Sequence, residues 1–452
     1  MTTLGLPTER VEDWQDKALA TFDRLLAKNR ALKVFMDSCV RCGACTDKCH
    51  YYLGTGDPNN MPVARAELLR ELYRRVYTPA GRLAQRLRGG PPLDEGMLEQ
   101  WNIYFWQCSQ CRRCSVYCPY GIDTAEITWA AREIMASIGV APKYTTEVIA
   151  KVYTVGNNLG IPPAAWKDSA EFLEDEMYEE TGVKVELPVD REGVDVLLIP
   201  PSADMFANPD TAIGYAKIFH AAGISWTTST YASEGGNFGL FLDHRDLKKV
   251  NKRMVDAARQ LNVRKMVMGE CGHAWRAAQA FTCTVSGPLD FLEAPRPQHI
   301  LELTLELIRK GALDLVKSRN DDIVATYHDP CNVARAGGLV NEPREVLKAV
   351  VNNFIEMPRD CIREYTFCCG GGGGMLADEI MELRMAGGKP RADAVRITGA
   401  NTLVTPCAIC KAQLPHVMKH WELPVEVSGV VDLVARAMRL PGQKFAEEKS
   451  DE

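Results

Sequence analysis

The segment CCGGGGG at residues 368–374 is the most informative part of this sequence. With one cysteine upstream and two downstream it follows the pattern C-x36-CCG-x36-C-x2-C. Neighbouring side chains of a regular strand face opposite ways, so two adjacent cysteines reach one metal centre only from a distorted turn, which the glycine run permits. Five thiols exceed the four ligands of tetrahedral zinc, whereas thiolates are the ligands of iron–sulfur clusters. We therefore predict a multi-iron centre bound by Cys331, Cys368, Cys369, Cys407 and Cys410.

Two earlier runs of cysteines, each C-x2-C-x2-C-x3-C, have the spacing of bacterial two-cluster ferredoxins. Such spacing wraps three cysteines of a run around one cubane cluster and carries the fourth to the other cluster. A pair of zinc sites is the alternative, but zinc motifs pair two CxxC units instead of stringing four cysteines together. His50 stands where the first run would usually have proline. The expected ligands of the two clusters are Cys39, Cys42, Cys45 and Cys118 for one, and Cys108, Cys111, Cys114 and Cys49 for the other.

Composition narrows the class of protein. The chain has 452 residues, 46% hydrophobic and 25% charged, which suits a globular protein of two or three domains. The net charge of -6 argues against nucleic acid as a partner. We find no apolar run long enough for a membrane span and no secretory signal at the N-terminus, so we expect a cytoplasmic protein. In a reducing compartment, sixteen cysteines favour metal binding over disulfides.

Hydrophobic periodicity predicts helices early in the chain and alternating strands and helices later. Helices are expected at residues 11–35 and, with an arginine-rich face and a break near residues 78–81, at 64–87. Further helices are expected at residues 212–222, 248–261, 298–310, 342–354, 379–398 and 430–438. Strands are expected at residues 194–200, 265–268, 323–327 and 402–405. This alternation is typical of α/β layers with parallel strands.

The expected fold class is therefore an α+β multidomain protein, with a helical two-cluster ferredoxin domain followed by an α/β region. We place the helical domain at residues 1–138, and a connecting region with an acidic, solvent-exposed helix at 139–192. The α/β region then consists of two related halves, a degenerate one at residues 193–320 and an intact one at 321–442. A disordered tail is expected at residues 443–452.

The degenerate half keeps one of the five ligand positions. In chain order the equivalent residues are Ser202, Ser233, Glu234, Cys271 and Ala274. If the halves pack about a pseudo-two-fold axis, the turn that contains Cys271 and His273 faces the intact site, where either residue could line or ligate the third cluster. A packed structural role is the alternative for both. Glu234 and His328 are candidates for proton donors at the same site, and a hydrogen-bonded structural role is the alternative for the histidine.

The five-cysteine pattern resembles the cysteine-rich CCG domain of heterodisulfide reductases, which holds a non-cubane [4Fe-4S] cluster that cleaves a disulfide. The order of modules resembles the HdrD polypeptide of the membrane-bound heterodisulfide reductase. It is still more similar to the K subunit (DsrK) of the Dsr membrane complex of sulfur-metabolising prokaryotes. That second likeness rests on residues 108–123 (CSQCRRCSVYCPYGID), on the single intact cysteine set and on the turn GECGH at residues 269–273.

The resemblance implies a catalytic subunit on the inner face of the membrane, with two cubane clusters and one non-cubane cluster. Its partners would be a membrane b-type cytochrome, the other subunits of a respiratory complex, and a small DsrC-like sulfur-carrier protein as substrate. Electrons would cross the cubanes and reduce a disulfide or trisulfide at the third cluster, or flow the other way. The implied catalytic residues are Cys331, Cys368, Cys369, Cys407, Cys410, Cys271 and His273.

Two other functions stay open. One is an iron–sulfur subunit of a quinone-linked dehydrogenase for glycerol 3-phosphate, glycolate or lactate. Such relatives usually keep more cysteines in the first half, so the decay of that half counts against this assignment. The other is a structural protein that holds zinc in some of its sites.

Overall fold

A computed structural model describes residues 1–443 of the chain. The expected disordered tail, apart from Gln443, lies outside these residues. The helices are α1 Trp14–Lys28, α2 Arg30–Ser38, α3 His50–Thr55, α4 Pro62–Tyr77, α5 Pro79–Arg88, α6 Glu95–Tyr104, α7 Arg113–Val116, α8 Thr124–Ser137, α9 Lys143–Val155, α10 Pro163–Thr181, α11 Ala203–Phe206, α12 Pro209–Ala222, α13 His244–Gln260, α14 Gly272–Ser286, α15 Ile300–Arg309, α16 Glu342–Val350, α17 Met381–Thr398, α18 Ala408–His420 and α19 Val430–Ala437. The strands are β1 Val196–Ile199, β2 Trp226–Thr227, β3 Lys265–Met268, β4 Gln298–His299, β5 Asp314–Leu315, β6 Val324–Tyr327, β7 Asn353–Phe354, β8 Thr402–Val404, β9 Glu426–Ser428 and β10 Met438–Arg439.

The N-terminal lobe is helical, and its core lies between α1, α4, α6 and α8. Large apolar side chains fill that core, among them Trp14, Phe22, Trp101 and Trp129. The single helix expected at residues 11–35 is wrong, because the chain breaks at Asn29. The side chain of Asn29 accepts a hydrogen bond from the Leu32 amide at 3.0 Å and so caps α2.

Two four-stranded parallel sheets follow the helical lobe. Their orders are β2-β1-β3-β4 and β7-β6-β8-β9, so both have the strand order 2-1-3-4 within their own half. All four side chains of β1 are buried, as expected for a parallel strand covered on both faces. Together with the helical lobe, the sheets give the α+β multidomain fold, and their shared topology supports an internal repeat.

Short strands and one helix end differ from the sequence prediction. The helix expected at residues 342–354 stops at Val350, and Asn353–Phe354 form the edge strand β7 beside β6. Strands β2, β4, β7 and β9 have two or three residues each, too few for hydrophobic alternation to reveal them.

The two halves share one hydrophobic core. Helix α19 of the second half packs on α12 of the first, where a Cβ atom at Gly214 would come within 2.5 Å of Val431. Strand β10 also pairs antiparallel with β5. The acidic helix α10 was expected to be an exposed spacer, and that expectation is wrong. Its apolar face buries Trp166, Leu173 and Met177 in the same core.

None of the helices formed by residues 1–443 is both long enough and apolar enough to cross a membrane.

Candidate iron–sulfur sites

The first site is a cavity in the helical lobe. Its lining thiols are those that the ferredoxin spacing groups together: Cys39, Cys42, Cys45 and Cys118. The loop between the first three passes through left-handed backbone at Arg41 (φ 56°) and Gly43 (φ 80°), which lets one short segment line a single cavity. Burial raises the pKa of Cys45 to about 11, so a thiolate forms there at neutral pH only beside a cation. Cys42 is exposed, and the cavity therefore reaches the surface.

The second site lies deeper, and its four thiols again match the predicted group: Cys49, Cys108, Cys111 and Cys114. Burial, with the neighbouring thiols, raises the pKa of Cys114 to about 12. His50 is buried beside this site. Its ring nitrogens lie 2.8 Å from the Gly387 carbonyl on α17 and 2.7 Å from the Ser109 hydroxyl. The histidine that replaces the usual proline therefore ties the ferredoxin loop to the C-terminal half.

The five cysteines of the third site come together as a continuous group. The Cys368 thiol lies within hydrogen-bond distance of the thiols of Cys331 and Cys369. Cys410 lies within the same distance of Cys369 and Cys407. The glycine run makes this possible, because Gly370, Gly373 and Gly374 have φ values of 94°, 67° and 83°. The amide of Gly371 donates to the Cys369 sulfur at 3.4 Å.

The second and third sites touch. The thiol of Cys111, from the ferredoxin loop, lies within hydrogen-bond distance of the Cys368 thiol. A Cβ atom at Gly373 would come within 2.7 Å of the Ser109 backbone, so only glycine lets the two loops approach this closely. The thiols of the second site therefore adjoin those of the third.

These thiols fit iron–sulfur clusters by their chemistry. Thirteen free cysteines fall into groups of four, four and five, and soft thiolates are the ligands such clusters require. Within residues 1–443, no three His, Cys, Asp or Glu side chains are arranged to hold a single metal ion.

Three arginines bind the ferredoxin loops to the third site, and cysteine spacing gave no signal for them. Arg113 donates to the carbonyls of Tyr365 (2.8 Å) and Asp360 (3.1 Å). Arg335, from the intact half, donates to the carbonyls of Cys111 and Thr366. Arg132 donates to several carbonyls at once, including those of Cys108 and Gly373. These contacts fix the second and third sites relative to each other.

The turn with Cys271 and His273 does face the third site. The amide of Gly272 donates to the Cys407 sulfur at 3.5 Å, and the Ala408 amide donates to the Glu270 carbonyl at 2.9 Å. Hydrogen bonds from Cys410 and from this turn outweigh burial and lower the pKa of Cys407 to about 7. Burial raises the pKa of Cys271 and lowers that of His273 to about 3.

Comparison with known proteins agrees with this division of the chain. A family model described as a 4Fe-4S dicluster domain matches residues 35–122, and one described as a cysteine-rich domain, CCG, matches residues 325–415. The Hdr-like menaquinol oxidoreductase iron-sulfur subunit 2 of Archaeoglobus fulgidus is 43% identical over 478 aligned residues, which cover 97% of this chain and 86% of that protein. The chain belongs to the family of Hdr-like iron–sulfur subunits. It is accordingly part of an iron–sulfur oxidoreductase.

More distant relatives cover most of the chain as well. The HdrD polypeptide of the dihydromethanophenazine:CoB–CoM heterodisulfide reductase of Methanosarcina barkeri is 25% identical, over 90% of this chain and 94% of that polypeptide. The EtfAB:quinone oxidoreductase of Syntrophomonas wolfei is 24% identical, over 89% of this chain and 58% of the relative.

In this Hdr-like subunit, polar side chains fill the positions where the degenerate half lacks cysteines. The Ser202 hydroxyl lies 2.6 Å from a carboxyl oxygen of Glu234 and 2.5 Å from Oδ1 of Asn158. Asn157 donates to the Ser233 hydroxyl at 3.2 Å. Both asparagines follow α9, in the region predicted only as a connection. Burial raises the pKa of Glu234 to about 7.

A cavity of about 220 Å³ in the Hdr-like subunit is lined both by Asn158 and Glu234 of this polar cluster and by residues of α18. One wall is the start of α18, with Ala408, Ile409 and Ala412 interleaved with the cysteines of the third site. Apolar side chains line much of the remainder, and its polar groups include Tyr144, Asn158, Glu234, Asn237, Cys271 and His273. We refer to this cavity as the chamber.

His328 borders the third site from the intact half. Its Nε2 lies 3.4 Å from the Cys410 sulfur, and burial lowers its pKa. His328 is not among the residues that line the chamber.

Proposed function

We propose that the chain is the iron–sulfur catalytic subunit of a membrane-associated quinol complex, and that it reduces, or in reverse forms, a sulfur–sulfur bond on a small DsrC-like carrier protein. The contact between Cys111 and Cys368 carries this proposal, because it joins a ferredoxin site to a five-cysteine site. Two relatives support the proposed electron path. The Archaeoglobus relative is a menaquinol oxidoreductase subunit, which supports quinol as the electron donor, and the Methanosarcina relative is a heterodisulfide reductase subunit, which supports a sulfur–sulfur bond as the acceptor.

The proposed cofactors are two cubane clusters and one non-cubane [4Fe-4S] cluster. When bound, they supply single-electron transfer and a terminus at which two electrons meet a sulfur–sulfur bond. The protein orients the terminal sulfurs by two amide donors, Gly371 to Cys369 and Gly272 to Cys407. It brings a sulfur of the third site next to one of the second, which favours fast transfer between them.

Electrons would enter at the first site. Cys42 is exposed there, and the neighbouring Val40 and Tyr120 are each more than half exposed. Exposed apolar side chains beside a redox site suit contact with a partner protein. We propose that this partner is the b-type cytochrome subunit of the complex.

The test is an assay with anaerobically purified, iron-loaded protein. Reduced methyl viologen supplies single electrons, and a synthetic peptide with an intramolecular disulfide stands for the carrier protein. We expect viologen oxidation that depends on the peptide and yields its dithiol. Loaded protein that reduces menadione but not the peptide would overturn the sulfur chemistry.

The alternative is an electron-transfer subunit of a quinone-linked dehydrogenase, which the Syntrophomonas EtfAB:quinone oxidoreductase supports. In that case the third site passes electrons to or from a flavoprotein and needs no cavity for a sulfur substrate. Menadione reduction without peptide reduction, in the assay above, is its expected result.

Helix α5 supports attachment to a membrane surface. No residue of this ten-residue helix is buried. Leu83 is 61% exposed and Leu87 is 82% exposed. Arg82 and Arg86 form a neighbouring row on the same side, and among residues 1–443 neither has an acidic partner. A helix with adjacent rows of leucine and unpaired arginine suits the interface of an anionic bilayer, where leucines enter the acyl boundary and guanidinium groups meet phosphates.

We therefore expect the protein to bind vesicles of phosphatidylglycerol and phosphatidylcholine more strongly than vesicles of phosphatidylcholine alone. The double variant Leu83→Ser/Leu87→Ser should lose about 2 kcal/mol of binding free energy or more, since each leucine removes buried apolar area. The variant Arg82→Gln/Arg86→Gln should lose about 2 kcal/mol, and only on anionic vesicles. Sedimentation with vesicles measures both.

Phe172→Ser is the matched control, because Phe172 is 62% exposed on α10, far along the chain from α5. Its binding should equal that of the unaltered protein. Equal binding by all four proteins, or no preference for anionic lipid, would contradict a membrane role for α5.

A further inference from the structure

The polar cluster that fills the degenerate half holds a carboxyl group in an unusual setting. Glu234 is 3% exposed, and no arginine, lysine or histidine of residues 1–443 forms an ion pair with it. The amides of Gly236 (2.7 Å) and Asn158 (3.4 Å) donate to its carboxyl oxygens, and the Ser202 hydroxyl lies 2.6 Å from one of them. A buried carboxylate without a cation is costly, so the neutral, protonated carboxyl is favoured there.

The hydrogen-bond count around Ser202 leads to the same conclusion. Its hydroxyl has one proton but lies within 2.6 Å of two acceptors, a Glu234 carboxyl oxygen and Oδ1 of Asn158. With the amide of Asn158 in this orientation, both contacts are hydrogen bonds only if Glu234 carries a proton and donates it to Ser202. Ser202 then donates to Asn158, and every group in the cluster is satisfied.

The chamber is lined both by Glu234 and by the start of α18, the helix that carries Cys410 of the third site. Glu234 lies on the wall formed by the degenerate half, and Ala408 and Ile409 lie on the wall that carries Cys407 and Cys410. His273 also faces the chamber. It is 4% exposed, and neither of its ring nitrogens has a hydrogen-bond partner among residues 1–443. An unpartnered, buried polar group on a cavity wall is suited to a ligand that supplies the missing partner.

The absence of lysine and arginine from the chamber wall, among residues 1–443, limits which sulfur compounds can bind there. Of the residues 1–443, no lysine or arginine lines it, whereas Leu159, Phe238, Phe241 and Leu376 do. A small thiol or disulfide with a carboxylate, sulfonate or phosphate would find no cation to replace its lost hydration. An uncharged sulfur–sulfur group on an alkyl or peptide segment meets no such penalty.

We propose that the chamber binds an uncharged segment that carries the sulfur–sulfur bond, and that Glu234 is the acid that protonates the departing sulfur. This inference rests on the proposed function. Two electrons, supplied by quinol oxidation, break one S–S bond. The sulfur nearer Glu234 leaves as a thiol with the carboxyl proton, and the other sulfur is released with a second proton from solvent. Glu234 then regains its proton from water.

Other ionisable groups around Glu234 do not replace it in this role. Tyr144 and Cys271 share the chamber, and burial raises the pKa of each. His273 is held neutral by burial and by nearby Arg276. Arg384 acts on Tyr144 without lining the chamber. The pKa of Glu234, raised by burial to about 7, matches an acid that gives up and regains a proton near neutral pH.

Two disulfides of similar size test the charge preference. Bis(2-hydroxyethyl) disulfide is neutral, and 3,3′-dithiodipropionate carries two carboxylates. With iron-loaded, oxidised protein, calorimetry should show the neutral compound binding at least about tenfold more tightly. The variant Ala412→Trp, which narrows the chamber, should weaken that binding, and stronger binding of the dianion would overturn the proposed substrate class.

The variant Glu234→Gln tests the acid. It keeps the size of the side chain and should bind the neutral disulfide as the unaltered protein does, while viologen-linked turnover falls about a hundredfold and loses its decline above pH 7. A readout independent of activity is the infrared difference spectrum between the unaltered protein and this variant, which should show the loss of one protonated-carboxyl band. Glu192→Gln, at an exposed position, is the control and should change neither.

The outcomes separate this inference from the proposed function. Loaded protein that reduces neither the peptide nor the neutral disulfide refutes the proposed function itself. Unchanged turnover and an unchanged infrared band in Glu234→Gln, in protein that does reduce the disulfide, refute only the role of Glu234. If Glu234→Gln fails to fold, Ser202→Ala provides the second test, because it should shift the carboxyl band without removing it.

Discussion

Replacing Cys368 with serine is expected to remove about four of about twelve irons and to abolish reduction of the disulfide peptide. Cys368 is the sulfur from which the third site is organised, since Cys331, Cys369 and Cys111 all lie within hydrogen-bond distance of it. A serine hydroxyl keeps the shape of the side chain but is a poor ligand for iron, which favours thiolate. Iron and sulfide analysis measures the first effect, and the viologen-linked assay measures the second.

The two ferredoxin sites should survive in Cys368→Ser, because their eight cysteines line separate cavities. The electron paramagnetic resonance spectrum of the reduced variant should therefore keep the signals of the cubane clusters. Cys283→Ser is the control, since Cys283 is exposed and belongs to none of the three groups. A Cys368→Ser protein with its full iron content, or with undiminished peptide reduction, would show that the third site has been assigned to the wrong residues.

The structure brings together the cysteines that the spacing groups, and such spacing is regular because metal ligation requires it. A cubane cluster draws three ligands from one short loop, so the two runs of cysteines indicate both cavities and also the exchange of Cys49 and Cys118 between them. Strands β1, β3, β6 and β8 were equally visible, because buried parallel strands have continuous apolar sequence.

What sequence could not reveal were contacts between distant segments. Nothing in the local pattern around Asn158 indicates that it reaches Ser202 and Glu234 to fill a lost cluster position. The acidic residues on α10 suggested an exposed helix, but α10 packs against the core through the apolar face that contains Trp166. Local propensity predicts that a helix forms, whereas only tertiary packing decides which neighbour it meets.

Arg132 shows most clearly how such distant contacts support the proposed electron path. It is fully buried, and its guanidinium donates to the carbonyls of Phe105 (2.9 Å), Cys108 (2.7 Å) and Gly373 (2.8 Å). Burial lowers its pKa to about 10, so it stays charged at neutral pH. One side chain thus joins the ferredoxin loop of the second site to the glycine run of the third.

Arg132→Met is therefore expected to destabilise the protein by about 3 kcal/mol or more, since several buried carbonyls lose their donor at about 1–3 kcal/mol each. Urea unfolding followed by tryptophan fluorescence measures the loss. Arg436→Met, which removes only the exposed ion pair with Asp322, should cost less than about 1 kcal/mol. Arg132→Lys keeps the charge but has fewer donors, so its stability should fall between that of Arg132→Met and that of Arg436→Met.

In Arg132→Met the loops at Cys108 and Gly373 would no longer be held together, so electrons should also pass more slowly from the second site to the third. Stopped-flow reduction should then show fast bleaching of the cubane clusters followed by delayed peptide reduction. If the interval between these two steps is the same in the destabilised variant as in the unaltered protein, Arg132 supports the fold without setting the electron path.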